Sequence, residues 1–226
     1  MSYRWVALVP MRHSSERVPG KNYRQLAGKP LYAHILETLS SLAQIELIVV
    51  DTDSPPIREG VAERFPEIMI LERPEPLRGG DVPMNAVILH DVQQVESQFY
   101  LQTHSTNPLL TAGTIERGIQ VFSTAFPDEA DSLFSVTRLQ TRLWTEGGQP
   151  INHDPAELIR TQDLEPVFEE NSCLYLFDRD RLLEEGTRIG RSPTLFEIEA
   201  IEAIDIDDEQ EFELAAAILA CRDVLG

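Results

Sequence analysis

Residues 9–30 of the chain read Val9-Pro-Met-Arg-His-Ser-Ser-Glu-Arg-Val-Pro-Gly-Lys-Asn-Tyr-Arg-Gln-Leu-Ala-Gly-Lys-Pro30. An apolar run at residues 5–9 leads into this stretch and predicts a short buried strand, and a helical pattern follows from Pro30. Between residues 10 and 29 the only acid is Glu16, against five cations: Arg12, Arg17, Lys21, Arg24 and Lys29. The loop therefore carries a local charge of +4, five cations less one acid, on a chain whose net charge is -19. This local excess of positive charge predicts an anionic ligand.

The position and chemistry of this loop indicate that the ligand is a polyphosphate. A loop that leaves the carboxyl end of a strand and enters a helix lies where open α/β sheets bind ligands. Backbone N–H groups and the hydroxyls of Ser14 and Ser15 can bind phosphate oxygens there, and Arg12 and Lys21 supply full positive charges. On composition alone a solvated surface loop is the alternative, because no Walker-type or dinucleotide glycine pattern is present.

The spacing of the loop residues resembles a known signature. Arg12-x-x-Ser15-x-x-x-Pro19-x-Lys21-Asn22, followed by Leu26-x-Gly28-Lys29-Pro30-Leu31, is similar to the motif of the CMP-sugar synthetases, the acylneuraminate cytidylyltransferases. The resemblance implies an enzyme that couples CTP to a sialic-type 2-keto sugar acid and releases pyrophosphate. The family usually has Lys where this chain has Glu16, so either Arg17 takes over that phosphate contact or the loop binds with one cation fewer. The nucleotide-binding residues implied are Pro10, Met11, Arg12, Ser14, Ser15, Arg17, Lys21, Asn22, Arg73 and Asn85.

Length and composition limit the class of protein to which the chain can belong. A chain of 226 residues with 42% hydrophobic and 25% charged residues fits a single globular domain over 1–226. We expect no signal peptide and no membrane span, because no apolar run approaches 18 residues. The strong acidity argues against binding to nucleic acids or anionic membranes. Two distant cysteines, Cys173 and Cys221, are typical of a reduced, cytoplasmic setting.

Strand and helix patterns alternate along the chain, which predicts right-handed βαβ units and a mostly parallel, doubly wound α/β sheet. The resemblance implies the three-layer, nucleotide-diphospho-sugar transferase-like version of this architecture. The predicted strands lie at 5–9, 47–51, 68–71, 99–102, 132–136, around 175 and at 204–207. The predicted helices lie at 31–42, 57–65, 85–95, 111–124, 178–185 and after 208.

Loops after the third and fourth strands carry further residues that the resemblance implicates. It places Arg73 beside the cytosine and Asn85 near a phosphate, with a solvated loop as the alternative for this segment. Gln102 matches a residue that reaches the sugar in the family. His104 lies in the following turn, where a structural hydrogen bond is the alternative to substrate binding. Leu110 stands at a position where the family usually has arginine.

Residues 138–160 lose all regular periodicity, and so long an irregular stretch within a compact domain is usually functional. The resemblance implies a protruding segment that packs against a second subunit in a homodimer and covers the substrate. Arg138, Arg142 and Arg160 are then candidates for binding the carboxylate of the sugar acid, since a planar guanidinium suits a carboxylate. Pairing with local acids is the alternative.

The strand around residue 175 contributes three further candidates for contact with the sugar. Gln162, Asn171 and Tyr175 match the family's pattern at the entry to this strand. Tyr175 fits a core aromatic residue of the strand equally well.

An acidic motif near the carboxyl terminus predicts a metal site. In a strand, Asp205 and Asp207 would project from one face, and two such carboxylates can hold Mg²⁺. Asp208 and Glu211 fit a capping box that opens the last helix. Capping is the alternative explanation of the acidic run, although it leaves Asp205 unexplained. The resemblance supports a metal site, since the family carries an Asp-x-Asp there.

The mechanism expected from these residues relies on positioning and charge, because no Ser/His/Asp or Cys/His set is visible. The expected catalytic residues are Arg12, Lys21, Asp205 and Asp207, with Mg²⁺ as cofactor. Transfer to 3-deoxy-manno-octulosonate (Kdo) or to a phosphonate is an alternative. A second alternative is a nucleotide-binding protein that has lost catalytic activity, because Glu16 and Leu110 replace cations of the family pattern.

Overall fold

The structure is a computed structural model that describes residues 3–15 and 17–225, with side chains up to residue 221. Its strands are β1 (Tyr3–Met11), β2 (Gln25–Leu26), β3 (Lys29–Pro30), β4 (Leu47–Thr52), β5 (Met69–Glu72), β6 (Ser97–Gln102), β7 (Ser132–Leu139), β8 (Val167–Asp178) and β9 (Pro193–Glu197). Its helices are α1 (Leu31–Ser40), α2 (Pro55–Arg64), α3 (Met84–Gln94), α4 (Ala112–Ala125), α5 (Arg179–Glu185) and α6 (Glu209–Leu225). None of the described helices is both long and apolar enough to cross a bilayer.

Seven strands form one sheet in the order β5-β4-β1-β6-β8-β7-β9. The pairs β5–β4, β4–β1, β1–β6 and β7–β9 are parallel, whereas β8 runs antiparallel to both β6 and β7. Helix crossovers return the chain to the same edge of the sheet, which is why most neighbouring strands are parallel. The prediction of a mostly parallel, doubly wound sheet is confirmed.

Residues of β1 alternate between two hydrophobic cores, which makes the domain three-layered. Ala7 and Val9 belong to the core beneath α1 and α4, whereas Val6 and Leu8 belong to the core beneath α3 and α5. Because successive side chains of a strand point to opposite faces, a strand buried on both sides reads as a continuous apolar run. The residue pairs Pro10–Asp51 and Leu8–Gln102 bring the ends of β1, β4 and β6 together at one edge.

Two details of the predicted architecture are wrong. Residues 204–207 form an irregular segment rather than a strand, and the Ile206 N–H donates to the carbonyl of Thr106 in a loop instead of joining the sheet. β9 is a sheet strand that the pattern did not reveal, because polar residues surround its short apolar core. A single isolated bridge, Trp144–Pro150, is the only strand-type pairing within residues 140–160, and that segment contains no helix.

Candidate active site

A cavity of about 510 Å³ opens at the carboxyl ends of β1, β5 and β6. Both informative motifs of the sequence contribute to its wall, the first loop and the acidic segment at 205–207. Its lining residues are Pro10, Arg12, Ser14, Ser15, Arg17, Lys21, Asn22, Arg73, Gly80, Met84, His104, Ser105, Thr106, Ser172, Arg188, Asp205 and Asp207. Five of these side chains are cationic and two are carboxylates, so the cavity is positive although the chain as a whole is strongly negative.

Lys21 joins the first loop to the acidic segment. Its backbone opens a 3₁₀ turn after Gly20, whose φ of 68° is a left-handed conformation that glycine adopts without strain. The largely buried ammonium group donates to the carbonyl of Ile206 and lies 3.3 Å from Asp207 Oδ1. Lys21 is therefore held in one orientation at the wall of the cavity, 185 residues away in sequence from its partner.

Asn22 fixes the course of the loop. Its amide nitrogen donates to the carbonyl of Arg12 over 2.8 Å, and its amide oxygen accepts from the Ser105 hydroxyl over 2.8 Å. Arg12 is exposed and has no ion pair among the described residues, so its charge is available to a ligand. Met11 lies in the core beneath the loop rather than in the cavity wall.

The cations of the first loop divide into two groups. Arg17 reaches the cavity and lies 2.8 Å from Asp207 Oδ1. Arg24 instead pairs with Glu209 at 2.6 Å, and Lys29 pairs with Glu37. Gly28 forms the tight β2–β3 turn with Ala27 and lies outside the cavity. Glu16 lies outside the described residues.

Asp205 carries a buried oxygen without a partner. Among the described residues nothing hydrogen-bonds to its Oδ1. Burial raises the pKa of this carboxyl, a hydrogen bond from Thr106 opposes that, and the charge of Asp207 adds to it. The irregular backbone still places Asp205 and Asp207 in one wall, as the predicted strand would have done.

Asp208 and Glu211 form the predicted capping box of α6. The Glu211 N–H donates to Asp208 Oδ1 over 2.9 Å, and the Asp208 N–H donates to Glu211 Oε2 over 3.0 Å. The Asp207 N–H donates to the same Glu211 oxygen over 2.6 Å. The cap therefore also fixes the backbone of the acidic segment.

Gln102, His104 and Arg188 form a hydrogen-bonded group, and two of its members, His104 and Arg188, line the cavity. Arg188 Nη1 donates to Gln102 Oε1 over 2.6 Å, which turns the amide nitrogen of Gln102 toward His104 Nε2 at 3.0 Å. An amide nitrogen can only donate, so His104 Nε2 accepts and the proton lies on Nδ1. Burial, and then the charges of Arg188 and Lys21, lower the pKa of His104 to about 4, so this imidazole is neutral at pH 7.

Comparison with known proteins identifies the family. The sequence matches the cytidylyltransferase family over residues 6–222. The chain belongs to the cytidylyltransferase family. Among its relatives, 3-deoxy-manno-octulosonate cytidylyltransferase 2 of Hydrogenovibrio crunogenus is 29% identical over 171 residues, which cover 76% of this chain and 63% of that protein.

The resemblance to acylneuraminate cytidylyltransferases is confirmed as well. N-acylneuraminate cytidylyltransferase A of Danio rerio is 26% identical over 216 residues, covering 92% of this chain and 49% of that protein. The chain thus spans less than two thirds of the length of either relative. A solved CMP:2-keto-3-deoxy-manno-octonic acid synthetase complexed with CTP superposes with a TM-score of 0.71 at 17% identity, covering 97% of this chain and 99% of that one. At this identity the superposition shows a shared fold.

Several residues implicated by the family resemblance lie outside the cavity. Gln102 is fully buried behind Arg188. Asn85 opens α3, donates to Thr187 Oγ1 over 3.3 Å and accepts from the Arg188 N–H over 3.4 Å. Tyr175 is a fully buried residue of the core beneath α3, as the core alternative predicted, and its ring supports Arg188.

Asn171 supports the sheet. It accepts from the Ser135 hydroxyl over 2.6 Å and donates to Thr137 over 3.1 Å, where the β7–β8 register shifts between Phe134 and Val136. The side chain therefore satisfies backbone and hydroxyl groups at an irregularity of the sheet.

The arginines proposed for the sugar carboxylate do not line the cavity. Arg142 donates to the carbonyl of Ile159 over 2.6 Å, and Arg160 pairs with Asp163 at 2.7 Å. Arg138 is exposed on β7, and Gln162 is exposed in the turn that precedes β8. The guanidinium groups of two of these three arginines are thus engaged in contacts within their own segment, as the alternative of local pairing predicted for Arg160.

Arg73 lines the cavity but is almost completely buried, and its guanidinium forms an ion pair with Asp51. Asp51, His90 and Asp91 bring donor atoms within 4.8 Å of one another. None of these three residues lines the cavity, so we assign the group no part in the site. Arg73 therefore forms part of the cavity wall, and its side chain exposes little surface on which the cytosine base could pack.

Sequence reasoning missed four lining residues of importance: Ser105, Thr106, Ser172 and Arg188. The first two follow β6 directly, and the end of a parallel strand is a signal that could have identified them. Arg188 lies in the polar connection between α5 and β9, where nothing in the pattern indicates a site. Leu110, at the family's arginine position, is buried in the core and places no charge in the cavity.

Proposed function

We propose that this protein transfers the cytidylyl group of CTP to a sialic-type 2-keto sugar acid, giving a CMP-sugar and pyrophosphate. One observation carries the proposal. Arg12, Arg17 and Lys21 line the same cavity as the Asp205–Asp207 pair, and membership of the cytidylyltransferase family supplies the reaction class. An excess of cations in one cavity of a strongly acidic chain suits a triphosphate.

In the reaction, the anomeric hydroxyl oxygen of the acceptor bonds to the α-phosphorus as the bond to the bridging oxygen breaks. Pyrophosphate leaves with that electron pair, and the hydroxyl proton passes to water. Arg12 and Lys21 would stabilise the negative charge that develops on the phosphates. Lys21 is preorganised for this by the Ile206 carbonyl. His104 would act as a hydrogen-bond donor through Nδ1 rather than as a base.

The cofactor we propose is Mg²⁺, held by Asp205 and Asp207. The buried, unpartnered Oδ1 of Asp205 fits this role, since a hard cation prefers carboxylate oxygens. When bound, the ion would supply positive charge at the α-phosphate and lower the pKa of the attacking hydroxyl. Arg17 and Lys21, which contact Asp207, hold its carboxylate in place.

The identity of the acceptor distinguishes the proposal from its enzymatic alternatives. One relative is named for Kdo and another for acylneuraminate, so both acceptors have to be compared. We would incubate the protein with CTP, Mg²⁺ and either N-acetylneuraminate, Kdo or a phosphonate, and measure pyrophosphate. Turnover with N-acetylneuraminate is the expected result, and turnover with Kdo or the phosphonate alone would select the second acceptor class. CTP binding without turnover would indicate a nucleotide-binding protein, and absence of CTP binding would reject the proposal.

We also propose that the chain forms a homodimer through residues 138–160. This segment exposes Trp144, Ile151 and Leu158, the last with 85% of its surface accessible, and apolar surface of this kind favours a protein partner. Leu158→Asp should convert a dimer into a monomer in size-exclusion chromatography with light scattering. Leu214→Asp, at an exposed apolar position on α6, is the matched control. A monomeric wild-type protein would contradict the proposal.

A further inference from the structure

Asp207 receives two cations of the first loop at one carboxylate oxygen. Arg17 Nη2 lies 2.8 Å from Asp207 Oδ1, and Lys21 Nζ lies 3.3 Å from the same atom. Asp205, the other carboxylate of the acidic segment, forms no ion pair within the described part of the chain. The carboxylate that is proposed to hold Mg²⁺ together with Asp205 is therefore already engaged by two positive charges.

Arg17 and Lys21 differ in how firmly they are held. The Lys21 side chain is only 11% exposed, and its ammonium group also donates to the Ile206 carbonyl. The Arg17 side chain is 65% exposed, and among the residues that the structure describes Asp207 is its one ion-pair partner. Water and salt screen an exposed ion pair of this kind, so a competing ligand separates it readily. Arg17 is therefore the cation that can leave Asp207.

The two proposed ligands compete for opposite halves of this ion pair. Phosphate oxygens suit the planar guanidinium of Arg17, which can donate two parallel hydrogen bonds to them. A hard divalent cation prefers the carboxylate oxygens of Asp207. Either ligand has to separate Arg17 from Asp207 before it gains its full set of contacts, and the other ligand then meets a partner that is already free. Ligands that share such a cost bind cooperatively, and the coupling acts equally in both directions.

We infer that Arg17 couples nucleotide binding to metal binding by exchanging its contact with Asp207 for a contact with the phosphates. The inference rests on the proposed function and adds to it a reason why the two ligands bind together. No covalent bond changes in the exchange, because one ion pair within the protein is replaced by a guanidinium–phosphate pair and a carboxylate–metal bond. Lys21, held by the Ile206 carbonyl, does not take part in the exchange.

The first test measures metal binding in the absence of nucleotide. Mn²⁺ is the probe, because it takes the same oxygen ligands as Mg²⁺ and its binding is measured by electron paramagnetic resonance. Arg17→Gln frees Asp207 and should lower the Kd for Mn²⁺ by about 3- to 5-fold, the range of an exposed ion pair. Arg12→Gln is the matched control, since Arg12 lines the same cavity without an ion pair to any described residue. This control removes an equal charge and should change the Kd by less than about 2-fold, because solvent screens the charge.

The second test measures binding of CTP in the presence of EDTA by titration calorimetry. Asp207→Asn releases Arg17 and should tighten metal-free CTP by about 3- to 5-fold. In the Arg17→Gln background the same substitution should change the Kd for CTP by less than about 2-fold, because no guanidinium is left to be released. Lys21 loses its Asp207 contact in both backgrounds, so its contribution cancels from the comparison. Thermal melting of each variant establishes that it is folded.

Two outcomes would overturn the inference. One is a Kd for Mn²⁺ that Arg17→Gln leaves unchanged or lowers no more than Arg12→Gln does. The other is an equal effect of Asp207→Asn on CTP affinity in both backgrounds. Failure of the proposed function is distinguishable from both: a wild-type protein that shows the two coupling effects yet releases no pyrophosphate would reject the reaction and retain the exchange. A wild-type protein that binds neither CTP nor Mn²⁺ would overturn both.

Discussion

Replacing Asp91 by asparagine should make the protein more stable, and increasingly so as the pH rises. Asp91 lies on the buried face of α3 against Asp51 at the end of β4, and neither side chain is exposed. Burial, and then the charge of Asp51, raise the pKa of Asp91 to about 9. Arg73 neutralises Asp51, and His90 Nδ1 lies 3.2 Å from Asp91 Oδ1. The native protein therefore holds Asp91 protonated at neutral pH.

Proton linkage gives the sign and size of the effect. The ordinary pKa of the aspartate is 3.8, so the unfolded chain releases this proton above that pH whereas the native protein keeps it up to about pH 9. The contribution of Asp91 to stability is therefore complete below pH 3.8 and is lost as the pH rises through the native pKa. Between the unfolded and the native pKa, the contribution of Asp91 to the free energy of unfolding falls by about 1.4 kcal/mol per pH unit. The loss amounts to about 4 kcal/mol at pH 7.

Asparagine avoids this cost because it is neutral in both states and can donate an N–H to Asp51. Its second N–H lacks an acceptor, which costs about 1–3 kcal/mol. We expect Asp91→Asn to raise the free energy of unfolding by about 1–3 kcal/mol at pH 7. The gain over the wild type should grow by about 1.4 kcal/mol with each pH unit between pH 5 and 8.

The assay is urea unfolding of both proteins at pH 5, 6, 7 and 8 at constant ionic strength. Asp131→Asn is the control, because that buried carboxylate accepts backbone N–H groups from Arg191 at 2.8 Å and Ser192 at 3.0 Å and its loss should destabilise the fold. A difference between Asp91→Asn and the wild type that does not change with pH would refute the reasoning.

Three further predictions concern the site and its support. Lys21→Ala should lower kcat/KM for pyrophosphate release by about 100-fold, or about 3 kcal/mol. Lys29→Ala, in the same loop but outside the cavity, should leave kcat/KM near normal. Near-normal release by Lys21→Ala would refute the assignment of Lys21 as a catalytic residue. Asp205→Asn should raise the Mg²⁺ concentration for half-maximal turnover at least about 10-fold, and an unchanged magnesium titration would remove the residue from the metal site. Asp208→Ala breaks the capping box with Glu211 and should lower the free energy of unfolding by about 1 kcal/mol in urea, whereas no loss would show that the cap is dispensable.

The sequence was sufficient for features that depend on neighbours along the chain. The apolar run at residues 5–9 predicted a strand buried on both faces, and the alternation of strands and helices predicted the parallel part of the sheet. The capping box between Asp208 and Glu211 was visible because its partners are three residues apart. The positive charge of the first loop predicted an anionic ligand there, and three of the loop's cations, Arg12, Arg17 and Lys21, line the cavity.

Tertiary structure decided which of these residues meet. Arg17 and Lys21 reach the cavity, where both contact Asp207. Arg24 and Lys29 instead pair outside the cavity, with acids on α6 and α1. Arg188 enters the cavity only because β6 and β8 are neighbours in the sheet. Local periodicity determines which face of an element is buried, but the electrostatic environment of a side chain depends on charges that folding brings together from distant parts of the sequence.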